Sequence, residues 1–400
     1  MLPLMLLAVT ISTNFEGGSL DQVKMLSATH FRCGVKGEVD QDQRNRQASW
    51  YFFRLDGGAD RQVTIDLVNL LGEYDYKPGN LAINQQTRPV YSYDCKTWEY
   101  FADDEVAWNS QEVSLRLKFR PQRNRAWIAH IVPYLRSDLN LLMREARGSP
   151  YLGYEVIGKS AQGRDLLLLT VTGSRAKELP PKVIWLMARQ HAWEAGTSWM
   201  IDGAIRYLLS SDPQAIQLRN SYVFKILPMC DPDGVARGGV RFNLYGYDLN
   251  RNWDVFDARL MPEILAERHA ILRWEDAGQP INFFLNLHNS NEDYVEGPFS
   301  EGGLAVRQLG ERFVRLLSDR TSFVSTTGPR DSLPPGVLLP KGRISADQWL
   351  FQKRRIPAFL FESSVQYNPK LKRLRTVEDW HNLGRTLVQI LGSLLEVTND

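Results

Sequence analysis

The stretch KVIWLMARQHAWE, residues 182–194, decides the fold class. Its first part, Lys182–Ala188, is almost wholly apolar, which is typical of a strand buried on both faces of a sheet. The polar residues His191 and Glu194 follow, and a helical pattern begins directly after them. Because open α/β sheets bind their ligands at the carboxyl ends of strands, the stretch predicts an α/β domain with a candidate site at this strand end.

Strands and helices alternate through the rest of the chain after residue 150. Predicted strands are Arg164–Thr172, Tyr222–Leu227, Ile281–Leu287 and Ile356–Phe361. Predicted helices are Ser198–Leu209, Pro262–Ala277, Leu304–Leu317 and Trp380–Val397. This alternation predicts an α/β domain with a central mixed, largely parallel sheet.

The earlier part of the chain has a different pattern. Val63, Ile65 and Leu67 alternate with polar residues, and Val113–Phe119 does the same, as strands with one buried face do. Turn signals separate several such stretches, which predicts an antiparallel β-sandwich. We therefore predict a β-sandwich domain over residues 1–145 and an α/β domain over residues 146–400.

Composition narrows the partners and the compartment. Lys plus Arg number 48 and Asp plus Glu number 46, a balance that gives no support for a nucleic-acid partner. The apolar residues 2–9 are too short for a membrane span of about 20 residues. We interpret them as the lead-in to a first strand, which favours a cytoplasmic location. The alternative is the remnant of a secretory signal, which would indicate export. Nothing in the sequence indicates an oligomeric state.

Two histidines and one glutamate form a candidate metal site. His191 and Glu194 are one helical turn apart and face the same side. His288 follows the predicted strand Ile281–Leu287 and so ends at the same kind of sheet edge. Two imidazoles and one carboxylate suit a single zinc ion with an open fourth position. The alternative for His191 and Glu194 is a helix-capping ion pair.

Other polar residues are candidates for catalysis and binding. Glu362 follows the apolar run 357–361, which favours a carboxylate facing a cleft, with a salt bridge at the sheet edge as the alternative. Asn250 and Arg251 are adjacent in a polar loop and suit a carboxylate clamp, with a surface ion pair as the alternative. Asp248 is a candidate to accept a hydrogen bond from a metal-binding imidazole.

Taken in order, these segments resemble the zinc metallocarboxypeptidases, or funnelins, and most closely their cytosolic carboxypeptidase branch with its bacterial members. The resemblance is carried by HAWE at 191–194, LPMCDPDGV at 227–235, Arg241, DLNR at 248–251, His288 and FESS at 361–364. Asp231 departs from the asparagine that the family has at this place. The segment from Asn14 to Phe53 also resembles the N-terminal domain of that branch.

The resemblance implies an enzyme that removes C-terminal amino acids from peptides or proteins. It implies zinc binding by His191, Glu194 and His288, general base and acid catalysis by Glu362, carbonyl polarisation by Arg241, and capture of the substrate carboxylate by Asn250 and Arg251. The branch also implies a preference for terminal glutamate, for which Lys341, Arg343, Arg354 and Arg355 are candidate ligands. A solvated basic face is the alternative for these four residues.

Two other functions stay open from the sequence. One is a related zinc amidohydrolase that acts on acylated amino acids or cell-wall peptides, although those relatives lack a long sandwich domain. The other is a non-catalytic binding module, against which the complete residue set argues. Digestive members of the family carry a tyrosine shortly before the catalytic glutamate, whereas residues 336–361 contain none. The role of that tyrosine is therefore unassigned.

Overall fold

The computed structural model describes residues 8–173, 182–325, 327–333 and 336–396. The chain forms two compact units. Unit 1 comprises Met1–Leu135 and Gly234–Phe242, and unit 2 comprises Arg136–Asp233 and Asn243–Asp400. A short segment from the second half of the chain thus belongs to the first unit. The predicted domain boundary at residues 145/146 stays a prediction.

Unit 1 consists mainly of short strands. Their bounds are Thr10–Ser12 (β1), Val23–Ser27 (β2), His30–Gly34 (β3), Glu38–Val39 (β4), Arg46–Gln47 (β5), Phe52–Asp56 (β6), Val63–Val68 (β7), Gly72–Tyr74 (β8), Lys77–Asn80 (β9), Val90–Ser92 (β10), Glu99–Tyr100 (β11), Val106–Asn109 (β12), Ser114–Phe119 (β13) and Arg125–Ala129 (β14). Two five-stranded sheets have the orders β1-β6-β14-β10-β11 and β12-β13-β7-β3-β2, and a four-stranded sheet has the order β4-β5-β8-β9. All the pairs are antiparallel except β3 with β7.

The two five-stranded sheets share one apolar core. Phe53 and Leu55 of β6 and Ile65 and Leu67 of β7 belong to the same cluster, and each is at most 1% exposed. Asp66 lies on the opposite face of β7 and is nevertheless buried, because Arg116 on β13 and His30 on β3 both bind its carboxylate. The predicted alternation of apolar and polar positions therefore holds, with an ion pair covering part of the polar face.

Unit 2 is built on an eight-stranded sheet. Its strands are Leu152–Lys159 (β15), Asp165–Val171 (β16), Lys182–Ala188 (β17), Tyr222–Leu227 (β18), Ile281–Ser290 (β19), Tyr294–Gly297 (β20), Arg330–Asp331 (β21) and Ala358–Ser364 (β22). They lie in the order β15-β16-β18-β17-β19-β22-β20-β21. The four central strands, from β18 to β22, are mutually parallel, and antiparallel pairs flank them. This arrangement confirms the predicted fold class, an N-terminal domain rich in antiparallel strands followed by an α/β domain with a mixed, largely parallel sheet.

Helices connect these strands. The α-helices of the described residues are Arg136–Glu145 (α1), Ala195–Leu209 (α2), Pro213–Ser221 (α3), Pro232–Arg237 (α4), Pro262–Asp276 (α5), Gly303–Arg320 (α6), Ala346–Arg354 (α7) and Val377–Glu396 (α8). α2 and α8 pack closely, since a Cβ atom on Gly384 would lie 1.8 Å from the Met200 carbonyl oxygen. Any larger residue at Gly384 would therefore force these two helices apart.

Some sequence predictions were wrong in detail. His288 and Glu362 do not follow their strands but lie inside them, because β19 and β22 continue pairing as far as Ser290 and Ser364. Pro232 begins α4, and proline is suited to the first position of a helix. Most of the apolar N-terminal stretch lies outside the described residues. Within the described part of the chain, no helix has the length and apolar character needed to cross a membrane.

Candidate metal centre

His191, Glu194 and His288 converge in unit 2. The Nδ1 atom of His191 lies 2.7 Å from Glu194 Oε1, and Nδ1 of His288 lies 2.9 Å from Glu194 Oε2. Possible ligand atoms of all three residues lie within 4.8 Å of one another, and none of the three residues is more than 2% exposed. Three buried donors, two from the turn at 191–194 and one from β19, therefore lie close together.

Local backbone geometry explains how two of these residues reach that point. β17 ends at Ala188, and Arg189 has a φ of 63°, which turns the chain away from the strand direction. Glu194 is the N-cap residue of α2, yet its side chain makes no capping hydrogen bond. The Glu194 carboxylate therefore does not cap the helix by a hydrogen bond but pairs with the two imidazoles.

The donor set fits a zinc ion. Two imidazole nitrogens and one carboxylate oxygen are ligands that zinc prefers, and sites with three protein ligands keep one position for a water or a substrate. Burial would raise the pKa of Glu194, but the two imidazoles outweigh it and lower that pKa to about 2. The carboxylate is thus held in the ionised form that a metal requires.

Asp248 contacts the imidazole ring of His191 at the nitrogen that is not directed to Glu194. Its Oδ1 lies 3.0 Å from His191 Nε2, so the nitrogen opposite Nδ1 has an acceptor. An acceptor at Nε2 selects the tautomer that leaves Nδ1 available toward Glu194. The same Oδ1 accepts the backbone N–H of Asn250 at 2.9 Å, which ties the loop to the metal centre.

We expect Asp248→Asn to weaken zinc binding about 10- to 100-fold, the usual cost of losing such an outer carboxylate. Competition with a chromophoric chelator measures the dissociation constant. Asp257→Asn, which removes an exposed carboxylate paired with Arg259, is the control. Unchanged zinc affinity in Asp248→Asn would contradict a supporting role for Asp248.

The adjacent loop residues Asn250 and Arg251 are held firmly. Asn250 is 2% exposed, and its Oδ1 accepts from Asn286 Nδ2 at 3.1 Å and from the Ala346 N–H at 3.2 Å. Arg251 is half-buried, and its Nη1 donates to the Asn250 carbonyl oxygen at 2.7 Å. The guanidinium is thus oriented by the backbone of its neighbour rather than lying loose on the surface.

Glu362 lies in the central part of the same sheet. In the register of the strands it is the partner of His288 on one side and of Tyr294 on the other. Register partners extend to the same face of a sheet, so His288, Glu362 and Tyr294 form one row across three strands. Burial and the charge of Glu362 both raise the pKa of Tyr294, as expected for side chains on one face.

The strand end that carries Glu362 is anchored by a buried ion pair. Arg375 Nη2 lies 2.8 Å from Asp293 Oδ2, and both side chains are at most 2% exposed. Asp293 also accepts the Ser364 N–H at 2.6 Å, and Arg375 donates to the Ser364 carbonyl oxygen at 2.6 Å. Sequence reasoning missed this pair, since neither residue stands in a motif.

We expect Asp293→Ala to lower the free energy of unfolding by about 3–5 kcal/mol, because it leaves Arg375 buried without its counter-charge. Chemical denaturation measures the change. Asp319→Ala, at a surface position of α6, serves as the control and should change stability by less than about 0.5 kcal/mol. Equal stability of the two variants would show that the buried pair does not anchor β22.

Arg241 lies in unit 1, in the segment Gly234–Phe242. Glu38 of β4 accepts the backbone N–H groups of Arg241 and Phe242 at 2.7 and 3.0 Å, and it binds Arg237 Nη2 at 2.7 Å. One carboxylate therefore fixes the backbone on which Arg241 stands. No sequence motif pointed to Glu38, because the contact spans about 200 residues.

Two of the four basic candidates for binding an acidic side chain, Arg354 and Arg355, have other neighbours. Arg354 pairs with Glu275 at 2.8 Å and with Asp276. The guanidinium carbon of Arg355 lies 5.3 Å from the centroid of the Phe351 ring. Lys341 is exposed. The charge of Arg354 is therefore already balanced by two carboxylates.

Comparison with known families matches both parts of the chain. The profile described as zinc carboxypeptidase matches residues 144–300, and the profile described as cytosolic carboxypeptidase N-terminal domain matches residues 11–131. The first match contains His191, Glu194 and His288, whereas Glu362 lies beyond it.

Individual proteins agree with these matches. Cytosolic carboxypeptidase 2 of Danio rerio is 32% identical over 311 residues, which cover 71% of this chain and 43% of that protein. An uncharacterized protein of Zymomonas mobilis is 28% identical over 283 residues, covering 70% and 68%. The chain thus spans less than half of the zebrafish relative. The crystal structure of a metallo-carboxypeptidase from Burkholderia cenocepacia has the same fold, with a TM-score of 0.84, 21% identity, and coverage of 98% and 99%.

Proposed function

The chain belongs to the zinc carboxypeptidase family and carries the N-terminal domain of the cytosolic carboxypeptidases, and from this we propose that it removes single amino acids from the C-termini of peptides or proteins. The observation that carries the proposal is the convergence of buried His191, Glu194 and His288, with Glu362 in register on the neighbouring strand. Zinc supplies Lewis acidity, which polarises a carbonyl group and acidifies a water molecule when the ion is bound.

The side chains of this protein have separate roles in the proposed reaction. Glu362 takes a proton from the attacking water and passes it to the leaving amine nitrogen, as a general base and then a general acid. Arg241 stabilises the negative charge that develops on the carbonyl oxygen. Its backbone is held by Glu38, which supports a fixed position for this guanidinium within its own unit.

Asn250 and Arg251 bind the terminal carboxylate of the substrate in this proposal. Arg251 offers a planar fork that suits a carboxylate, and its hydrogen bond to the Asn250 carbonyl limits the orientations of that fork. Recognition of a free carboxylate next to the metal centre limits cleavage to the last peptide bond. This is what distinguishes an exopeptidase from an endopeptidase.

Peptide digestion followed by mass spectrometry tests the proposal. We expect loss of single C-terminal residues, which stops when a zinc chelator is added and resumes after zinc is restored. Peptides with the same sequence but an amidated C-terminus should resist, since they lack the charge that Arg251 binds. Zinc-loaded protein that cleaves no free-carboxylate peptide would contradict the proposal and favour an amidohydrolase or a binding module.

The partners follow from the reaction. We propose that the substrates are peptide or protein C-termini and that the protein acts in the cytoplasm. The cytoplasmic location is supported by the relatives that are named cytosolic carboxypeptidases. Fractionation of cells, with the protein detected by antibody, tests the location, and recovery of the protein outside the cytoplasmic fraction would contradict it.

A further inference from the structure

We propose that the subsite for the terminal side chain of the substrate is acidic, that Glu296 and Asp347 beside Arg251 form it, and that it selects a C-terminal lysine or arginine. The proposal rests on the carboxypeptidase function proposed above and specifies its substrate class. It differs from the terminal glutamate that the family resemblance implies.

Strand register puts Glu296 on the face of the sheet that carries the metal centre. His288, Glu362 and Tyr294 form one row, as described above. The next row on that face is Asn286, Leu360 and Glu296, because side chains two residues apart point to the same side. Two residues of strand separate the rows, a distance of about 7 Å. That distance is comparable to the length of an extended amino-acid side chain.

Hydrogen bonds join this second row to the loop that contains Asn250 and Arg251 and to the start of α7. Asn286 Nδ2 donates to Asn250 Oδ1 at 3.1 Å, and the Ala346 N–H donates to the same oxygen at 3.2 Å. Asp347 follows Ala346 in the first turn of α7 and is 1% exposed. Glu296, Asp347 and Arg251 therefore stand on elements that are linked through Asn250, which belongs with Arg251 to the proposed binding site for the substrate's terminal carboxylate.

Negative charge is in excess around Glu296 and Asp347 once a substrate carboxylate occupies Arg251. Burial raises the pKa of Glu296 to about 7, with Asp347 adding to the rise, and burial raises that of Asp347 to about 6. The charge of Arg251 opposes both shifts. Arg330 also acts on Glu296, but it pairs with Glu292 at 2.9 Å.

A substrate carboxylate bound to Arg251 would neutralise the positive charge that Glu296 and Asp347 share. The half-buried carboxylate of Glu296 and the buried carboxylate of Asp347 would then face a third, and this repulsion is relieved either by proton uptake or by the entry of another cation. A lysine ammonium or an arginine guanidinium on the same substrate residue supplies that cation. A glutamate side chain in this place would add a fourth negative group.

A separate observation also points to a ligand with hydrogen-bond donors. The Oδ1 atom of Asn286 is fully buried, and among the described residues it has no hydrogen-bond partner. Both bonds of this amide, to Gln190 and to Asn250, are made by Nδ2. The remaining acceptor stands in the row of Glu296, where a cationic group with three or five N–H donors would satisfy it.

The test compares peptides that are identical except for a last residue of Lys, Arg, Leu or Glu. We expect kcat/KM of the zinc-loaded protein to be about 10-fold or more higher for Lys and Arg than for Leu, and lowest for Glu, since one well-placed buried charge pair is worth at least that factor. We expect Glu296→Gln and Asp347→Asn to reduce kcat/KM about 10-fold for Lys and Arg while leaving Leu within about 3-fold. Glu311→Gln, an exposed position on α6, is the control.

The alternative is that the two carboxylates only orient Arg251. In that case both variants would lose activity equally on all four peptides, which would overturn the proposal. Preference of the unmodified protein for Leu or Glu would also overturn it while leaving the carboxypeptidase function intact. Cleavage of none of the peptides would overturn both.

Binding to the unmodified protein gives a second readout that does not depend on turnover or on folding of a variant. Calorimetry with Nα-acetyl-lysine and Nα-acetyl-norleucine compares two ligands of similar length that differ in the terminal charge. Binding of the lysine derivative at least about 10-fold tighter supports the acidic subsite. Equal affinity would contradict it.

Discussion

Glu362→Gln is expected to retain a full complement of zinc and to lose hydrolysis by a factor of about 10²–10⁴, the usual contribution of a positioned general base. Gln keeps the size and the hydrogen bonds of the side chain but cannot accept a proton. Because Glu362 is the register partner of His288 without belonging to the buried triad, metal content should not change.

Single-turnover kinetics and elemental analysis of the same preparation measure the two quantities together. Glu301→Gln, an exposed position that precedes α6, is the matched control and should behave as the unmodified protein. Retained turnover in Glu362→Gln would remove this residue from the mechanism. Loss of zinc in that variant would instead make Glu362 part of the metal centre.

His288→Ala is expected to abolish stoichiometric zinc binding and, with it, peptide cleavage. The substitution removes one of three converging donors and leaves the Glu194 Oε2 atom without the imidazole 2.9 Å away. Removing one of three zinc ligands also leaves a buried cavity of imidazole size, so the metal-free protein should be less stable.

Zinc content after dialysis and the midpoint of thermal unfolding with and without zinc check this prediction. His269→Ala is the matched control, since His269 is exposed on α5. The unmodified protein and the control should gain stability with added zinc, because a ligand that binds only the folded state stabilises it. A full zinc complement in His288→Ala would exclude this residue as a ligand.

Much of the α/β domain was predictable because its strands are unusually apolar. Lys182–Ala188 and Tyr222–Leu227 are strands with the predicted bounds, since buried parallel strands leave a continuous apolar signal. The three metal residues were also predictable from the sequence, because each follows or ends such a run. Their convergence in the structure fits that prediction, while their roles stay to be tested.

Features that depend on strand register were not predictable. Glu296 and Asp347 are 51 positions apart, and only the pairing of β20 with β22 and the position of α7 relate them. From the sequence alone, the basic residues that precede Glu362 were therefore the candidates for recognising the terminal side chain of the substrate. Asp293 and Arg375 were missed for the same reason, because a buried ion pair between distant residues leaves no periodic signal.

The inclusion of Gly234–Phe242 in the first unit also limits how this protein can change in evolution. A unit built from two separate stretches of chain cannot be gained or lost by a single cut or fusion at a domain junction. Deleting the N-terminal domain would take away Glu38 and so strip the support from the Arg241 backbone. The two domains should accordingly be inherited together. A relative that lacks the N-terminal domain would need other contacts to fix the backbone at the position of Arg241.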